Sequence, residues 1–369
     1  MRNRMLAKLK LPSILLLTLG IIIGSTLFIV TKITFDKTSE TEFCISCHSM
    51  DNAYQDYKKS SHFSNKHGVK AECSDCHIPQ QTMEYLVTKI RASKDIYHEF
   101  ISGKIDTQQK YDSHKLAMAK TVWSQMEAND SATCRSCHDF EQMAPELQKQ
   151  EAVIAHAGAK TNNQTCINCH KGIAHTLPKP KTNTISILDA DINDQVYTTK
   201  IIQLHNSDQL EKSRAKVLPL TKLTIIKKQQ DRVYVAITGW KEARKNVLYS
   251  EKGQRIASAT LRGISNIDDL GENYQDPISL NPWKKIQIHG WLKETPIVTD
   301  VNPIWDNLKF AYDSKCGQCH LKVEEAHFSA NDWPAQFMGM AKQAKLSKDE
   351  TQAMLKYLQY HSSTFVKHN

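Results

Sequence analysis

All ten cysteines of the chain fall into one repeated pattern, a cysteine pair separated by two residues and followed at once by histidine. The copies are Cys44-Ile-Ser-Cys47-His48, Cys73-Ser-Asp-Cys76-His77, Cys134-Arg-Ser-Cys137-His138, Cys166-Ile-Asn-Cys169-His170 and Cys316-Gly-Gln-Cys319-His320. In this pattern two thiols add across the vinyl groups on one edge of a porphyrin and the adjacent histidine reaches the iron. A zinc site of paired CxxC units needs no histidine after every second cysteine, and a disulfide framework needs no histidine at all. The motifs therefore imply five covalently attached haem c groups.

Each iron takes a second axial ligand, usually histidine or methionine, unless that face is kept open. His48, His77, His138, His170 and His320 are the proximal residues, drawn from 16 histidines in all. Candidates for the distal faces of the first four haems are His62, His67, His98, His114, His156 and His175. We favour His62, His156 and His175, the last two lying close to the fourth motif in the chain. His67 and His114 read as ordinary surface residues. Met50 follows His48 by two residues, and no ordinary loop places both side chains on opposite faces of one iron. For the fifth haem the distal choice lies among His327, Met338 and Met340, and Met340 suits a ligand that shortly precedes the last helix. A methionine ligand raises a haem's potential above that of bis-histidine neighbours, so electrons would run downhill toward the C-terminus.

These residues must be carried by a small number of elements. From Leu11 to Thr31 the chain has no charge, and Arg2, Arg4, Lys8 and Lys10 precede this run. The length suffices to cross a bilayer, the basic arm places the N-terminus in the cytoplasm, and no small-residue cleavage step follows. Gly20 and Gly24 form a GxxxG pair, a helix face through which the chain could form a homodimer. Four motifs crowd into residues 33–180, so porphyrins must supply much of the buried apolar surface there. Helical patterns run from about Met83 to Ile101 and from Tyr111 to Met126. Residues 181–300 hold no cysteine, and their alternating stretches around Gln229-Gln230-Asp231 read as a hairpin of a small β-barrel or sandwich. Within them Val235-Ala-Ile-Thr-Gly239-Trp240 recurs as Ile286-Gln-Ile-His-Gly290-Trp291. Residues 301–369 carry the fifth motif and end in a helix opened by a Ser347-to-Glu350 capping box. The expected architecture is a mainly α multihaem cytochrome. It has a cytoplasmic arm and transmembrane anchor (1–32), a tetrahaem domain (33–180), a β-rich spacer (181–300) and an α monohaem domain (301–369).

The stretch from the anchor to Pro178 resembles the NapC/NirT family of membrane-anchored quinol dehydrogenases. The resemblance rests on Cys44-x-x-Cys47-His48-x-Met50, Asp75-Cys76-His77-Ile78-Pro79, Asn129-Asp130-Ser131 before the third motif, and Cys169-His170-Lys171-Gly172-Ile173-Ala174-His175-x-Leu177-Pro178. It implies that Met50 rather than His48 stands at the first iron, beside a quinol pocket. It also implies that Lys89 and Asp95 line that pocket, the ammonium bonding a quinone oxygen and the carboxylate taking a proton. Lys94 and His98 are the alternatives. The whole layout, with Trp333 and Met340 in the last segment, resembles the TorC/TorY-type pentahaem cytochromes.

The reading that follows is an electron-transfer protein with quinol dehydrogenase activity and no terminal turnover of its own. Menaquinol from the membrane pool is the donor, and a periplasmic molybdopterin reductase for trimethylamine N-oxide or a related N- or S-oxide is the acceptor. The partners are thus the lipid bilayer, the quinol pool and that reductase. The location is the bacterial inner membrane, with the haem domains periplasmic. The formal charge of +9 is no nucleic-acid footprint, since about ten haem propionates offset it. The rival is a terminal multihaem reductase of the nitrite type, which would want a CxxCK motif, and none occurs.

Overall fold

The computed structural model describes residues 2–178, 182–262, 267–318 and 322–365, with the side chains of 2–12 and 318 outside the description. Cys319, His320 and the side chains of the basic N-terminal arm therefore lie outside it. The chain divides into two compact units, Met1–Lys179 and Pro180–Asn369.

The first unit is helical. Its long helix α1 spans Arg2–Lys37, and its Ser13–Lys37 portion is long and apolar enough to cross a membrane, with a mean hydropathy of 2.5 and no residue buried in the protein. The helices α2 (Thr41–Cys44), α3 (Asp51–Lys58), α4 (Cys73–His77), α5 (Thr82–Phe100), α6 (Gln108–Ala128), α7 (Ala132–Arg135), α8 (Gln150–Thr161) and α9 (Cys166–Cys169) follow. α5 and α6 are the two helices expected from the apolar periodicity, α5 shifted by one residue from the reading and α6 longer than it at both ends.

Local chemistry opens and closes the short helices that carry the motifs. A capping box formed by Glu72 and Asp75 starts α4, and one formed by Thr165 and Asn168 starts α9, each beginning one residue before the first motif cysteine. After α6, Asp130 and Ser131 take left-handed backbone angles in succession, φ 53° and 52°. This turn delivers the chain directly into α7 and the third motif.

Among its described residues the second unit contains eleven strands, all paired antiparallel: β1 (Ile185–Ser186), β2 (Gln195–Thr198), β3 (Ile202–His205), β4 (Ser213–Val217), β5 (Lys222–Gln229), β6 (Arg232–Glu242), β7 (Val247–Glu251), β8 (Gln254–Leu261), β9 (Ile267–Gln275), β10 (Pro282–Lys293) and β11 (Pro296–Val298). Strands β6, β7, β8, β4, β3 and β10 close a ring, because β10 pairs with β6 as well as with β3. The inward residues form one core, including Leu204, Leu223, Ile225, Val235, Ile237, Leu248 and Ile288. The hairpin read around Gln230 is the β5–β6 turn, with Gln230 left-handed at φ 46°.

The internal repeat has a physical meaning. In the β6–β10 ladder Val235 pairs with Gly290 and Gly239 with Ile286, so the two copies lie antiparallel across a local pseudo-two-fold axis. Each glycine marks the corner where its strand passes to the next partner. A Cβ on Gly290 would stand 2.6 Å from Leu204 Cγ and 2.7 Å from the His205 carbonyl oxygen, and one on Gly239 would collide with the Tyr249 carbonyl oxygen. Only glycine lets the backbones approach so closely.

Helices α10 (Asn302–Lys315), α11 (Trp333–Gln343) and α12 (Lys348–Tyr360) complete the unit, and the expected capping box opens α12, with Glu350 N–H donating to Ser347 Oγ at 3.2 Å. Here two expectations are corrected. The chain is not mainly α, and the C-terminal region is a β-rich body rather than a separate α domain. Helix α12 and the turn before α11 are bonded to the strand region: Ile201 N–H donates to Asp349 Oδ1 at 2.8 Å, Arg255 N–H to Asn331 Oδ1 at 2.7 Å, and Tyr360 shares a 2.8 Å hydrogen bond with Ser250. Alternation in the sequence marked only the best-patterned hairpin. β10 alternates as well, but most of the remaining strands are short, and β9 is exposed on nearly all of its length, so they carry little periodic signal.

Candidate functional site

Three motif histidines each face one other imidazole. Ring centroids are 6.1 Å apart for His62 and His138, 6.0 Å for His77 and His175, and 6.1 Å for His156 and His170. With metal–nitrogen bonds of about 2 Å and ring centres about 1.1 Å behind each nitrogen, two imidazoles on opposite faces of one metal stand roughly 6.2 Å apart. The partners are the three non-motif histidines favoured from the sequence. Only His156 faces the motif next to it in the chain; His62 faces the third motif and His175 the second.

The protonation chemistry agrees with this geometry. Burial holds His62, His170 and His175 below the ordinary imidazole range and pushes His77 down to about 4, with the facing ring lowering His62, His77 and His170 further. A neutral imidazole is the form that ligates. His175 Nδ1 donates to the Ala53 carbonyl oxygen at 3.1 Å and His156 Nδ1 to Gln148 Oε1 at 2.7 Å, which fixes the tautomer and leaves Nε2 free for a metal. His114 and His98, by contrast, bond locally, to the Lys110 carbonyl and the Ser102 hydroxyl.

The attachment sulfurs are neighbours in chain order. Cys44 and Cys73 are in hydrogen-bonding contact, as are Cys134 and Cys166, and the Cys76 thiol is raised mainly by burial, with Asp75, Cys73 and Cys137 adding to it. Hydroxyls three residues before the first and third motifs knit each pair. Thr41 Oγ1 accepts from Cys73 N–H and Ser131 Oγ accepts from Ile167 N–H, both at 3.2 Å. The donor set fits haem, and so does the packing: among the described residues of the first unit the buried apolar side chains are Tyr57, Ile105, Tyr111 and Ile167. That is far too little protein core for a unit of this size unless porphyrins supply the rest.

The family model described as the NapC/NirT cytochrome c family, N-terminal region, matches residues 7–180, and that described as the TorC third cytochrome c domain matches residues 190–297. The chain is 37% identical over 359 residues to the cytochrome c-type protein TorY of Escherichia coli O157:H7, covering 96% of this chain and 97% of that one. It is 37% identical over 357 residues to TorC of Escherichia coli K12, covering 94% and 92%. The cytochrome c-type protein NapC of the same strain is 44% identical over 164 residues, 44% of this chain and 82% of NapC. The chain belongs to the TorC/TorY family of c-type cytochromes. As a member it binds haem c covalently. Its stretch matching the third cytochrome domain holds no cysteine and forms the strand ring instead.

The first motif is arranged differently from the next three. His48 is exposed, with Nδ1 3.4 Å from Asp51 Oδ2, and Met50 is half-buried at the end of the same turn. Facing this motif is α5. Lys89 Nζ donates to Thr38 Oγ1 at 3.0 Å, and burial lowers its pKa despite the opposing effects of Cys44 and Asp36. Asp95 lies on an exposed stretch, yet partial desolvation of its carboxyl raises its pKa more than Lys94 and His98 lower it. Lys89 and Asp95 are not bonded to each other.

Sequence reasoning missed Glu99. Its Oε1 accepts from Ser49 N–H at 3.4 Å, its Oε2 is buried with no hydrogen-bond partner, and burial first and this carboxylate second raise the Cys47 thiol. Its i+4 spacing from Asp95 on α5 was the available signal. In the second unit Cys316 follows α10 and packs, with half-buried Met340, on the cluster of Tyr312, Trp333, Phe337 and Met354, whereas Met338 is 48% exposed and His327 lies on Phe328 near the surface.

Proposed function

We propose that this chain oxidises menaquinol beside its first haem and passes single electrons along the four motifs of the first unit to a fifth haem. From there they go to a periplasmic molybdenum reductase for trimethylamine N-oxide or a related N- or S-oxide. The carrying observation is the set of facing imidazole pairs at about 6 Å, each joining a motif histidine to a distant histidine, in a chain related end to end to TorC and TorY.

When bound, haem supplies a one-electron store at each motif. The residues supply the rest. His62, His156 and His175, facing His138, His170 and His77, would help to hold the third, fourth and second haems. Met50 would serve the first haem and Met340 the fifth. Lys89, with its charge partly desolvated, hydrogen-bonds a quinol oxygen. Asp95, whose raised pKa makes it a better base when ionised, takes a proton as the quinol gives up its electrons. The anchor α1 holds this site at the outer face of the inner membrane, with the N-terminus cytoplasmic.

The test uses membranes containing the full chain. A menaquinol analogue should reduce all five haems, with no nitrite or N-oxide turnover unless the reductase is added. Asp95→Asn should slow quinol reduction by about 10²-fold and leave dithionite reduction unchanged. Since the carboxylate is the active form, the wild-type rate should rise with pH through the raised pKa of Asp95, and that rise should vanish in the variant. Unchanged quinol kinetics would move the site elsewhere, and turnover by the isolated chain would make it a terminal reductase.

A further inference from the structure

Helix α5 presents two faces of opposite character. At 3.6 residues per turn, Thr88, Asp95 and Glu99 share the arc that meets the first motif, and Tyr85 and Lys89 lie next to it against the residues that follow α1. The opposite arc is apolar and bare. Met83 is 71% exposed, Ile90 70% and Phe100 71%, with Leu86, Val87 and Tyr97 between them and Ile101 beyond. Ser93 and Lys94 interrupt it, and Thr82 stands at its start. A stripe of this extent is not ordinarily left facing water. The first motif cannot cover it either, because its contacts reach α5 from the other side.

The level of α5 relative to the bilayer is set by α1. The Tyr85 ring lies 5.9 Å from that of Phe35 in the last turns of α1, and the Tyr85 and Ser39 hydroxyls are 3.2 Å apart. α5 therefore starts where the anchor leaves the membrane, and its bare arc continues an apolar surface that α1 already exposes, with Phe28 at 71%. Lys94 has a stem long enough to lie along the stripe and lift its ammonium to headgroup phosphates, and Arg91 flanks it.

We propose that α5 is an interfacial helix, lying in the headgroup layer of the bilayer that α1 crosses, with its Met83–Ile90–Phe100 arc on the acyl boundary and Arg91 and Lys94 on anionic phospholipid headgroups. A quinol then reaches Lys89 and Asp95 sideways from the lipid without entering water. This last clause rests on the proposed function; the membrane contact does not.

The haem-loaded full chain suits a depth measurement, because its native cysteines are consumed in thioether bonds and an introduced one is the only free thiol. Single variants Met83→Cys, Ile90→Cys and Tyr97→Cys, with Glu84→Cys and Arg91→Cys as controls, carry a nitroxide in nanodiscs of phosphatidylcholine and phosphatidylglycerol. Variants are first checked for intact haem content. Oxygen should relax the arc labels more than a water-soluble nickel chelate does, with the order reversed at the controls. Nickel access equal at all five sites would overturn the proposal. So would dipolar broadening between arc labels of two copies that disappears on dilution with unlabelled protein, since the arc would then be a dimer face. Ile90→Glu should raise KM for lipid-borne quinol several-fold with kcat retained. If depth is as expected and KM does not move, the interfacial helix stands and sideways quinol entry is refuted.

Discussion

Lys356 on α12 should make the second unit strikingly pH-dependent in stability, and its replacement should remove that dependence. The side chain is 3% exposed, and its Nζ donates to Thr221 Oγ1 at 3.2 Å, while that hydroxyl gives its own proton to the Ser258 carbonyl oxygen at 2.8 Å. One neutral acceptor cannot satisfy an ammonium, and burial alone pushes the group down from 10.5 to about 7. Below pH 7 both folded and unfolded chains are protonated and the folded state bears the whole desolvation cost. Between pH 7 and 10.5 the folded lysine is neutral while the unfolded one still binds a proton, so the cost shrinks as pH rises. From pH 7 to 9.5 the relief amounts to about 3 kcal/mol. Lys356→Met keeps the apolar stem and has no such term. Urea denaturation of the detergent-solubilised haem protein, followed by circular dichroism of the strands, should therefore show the variant more stable at pH 7 and the two converging above pH 10. Parallel pH profiles would refute the reasoning, and with it the seating of α12 on the strand ring.

His62→Met should raise the midpoint potential of one haem by on the order of 100 mV, out of the roughly 0.8 V that axial ligands span, and leave the rest in place in a potentiometric titration; no shift would mean that the facing of His62 and His138 is incidental. Glu99→Gln removes a negative charge beside the first motif and should raise that haem's potential by on the order of tens of millivolts, whereas an unchanged titration would place Glu99 outside its electrostatic reach. Gly290→Ala must push Leu204 and the His205 carbonyl aside at a strand corner, costing about 1–3 kcal/mol in the same urea assay. Gly20→Ala, in open surroundings on α1, is the matched control and should cost nothing measurable there.

The haem c character of the chain was legible in the sequence because each attachment motif is a contiguous five-residue pattern, with both thiols and the histidine held by local backbone. The anchor was legible for a similar reason, being one uninterrupted apolar run, and so were α5, α6 and the α12 cap. The repeat around Gly239 and Gly290 was visible as letters but not as geometry. Its meaning depends on two strands, fifty residues apart in the chain, coming into register.

Which histidine faces which motif depends on folding that brings distant segments together. His62 and His138 are separated by the second motif and the long helices α5 and α6, among others, and His77 and His175 by nearly a hundred residues, so no spacing rule could pair them. Glu99 gained its place only when α5 was laid against the first motif, and the docking of the last helices on the strands emerged from hydrogen bonds between segments a hundred or more residues apart. Covalent chemistry is written in neighbouring residues, and neighbouring residues determined it here. The facing of imidazole pairs, burial of a lysine and the exposure of one face of α5 are properties of surfaces in contact, and those surfaces exist only once the chain has folded.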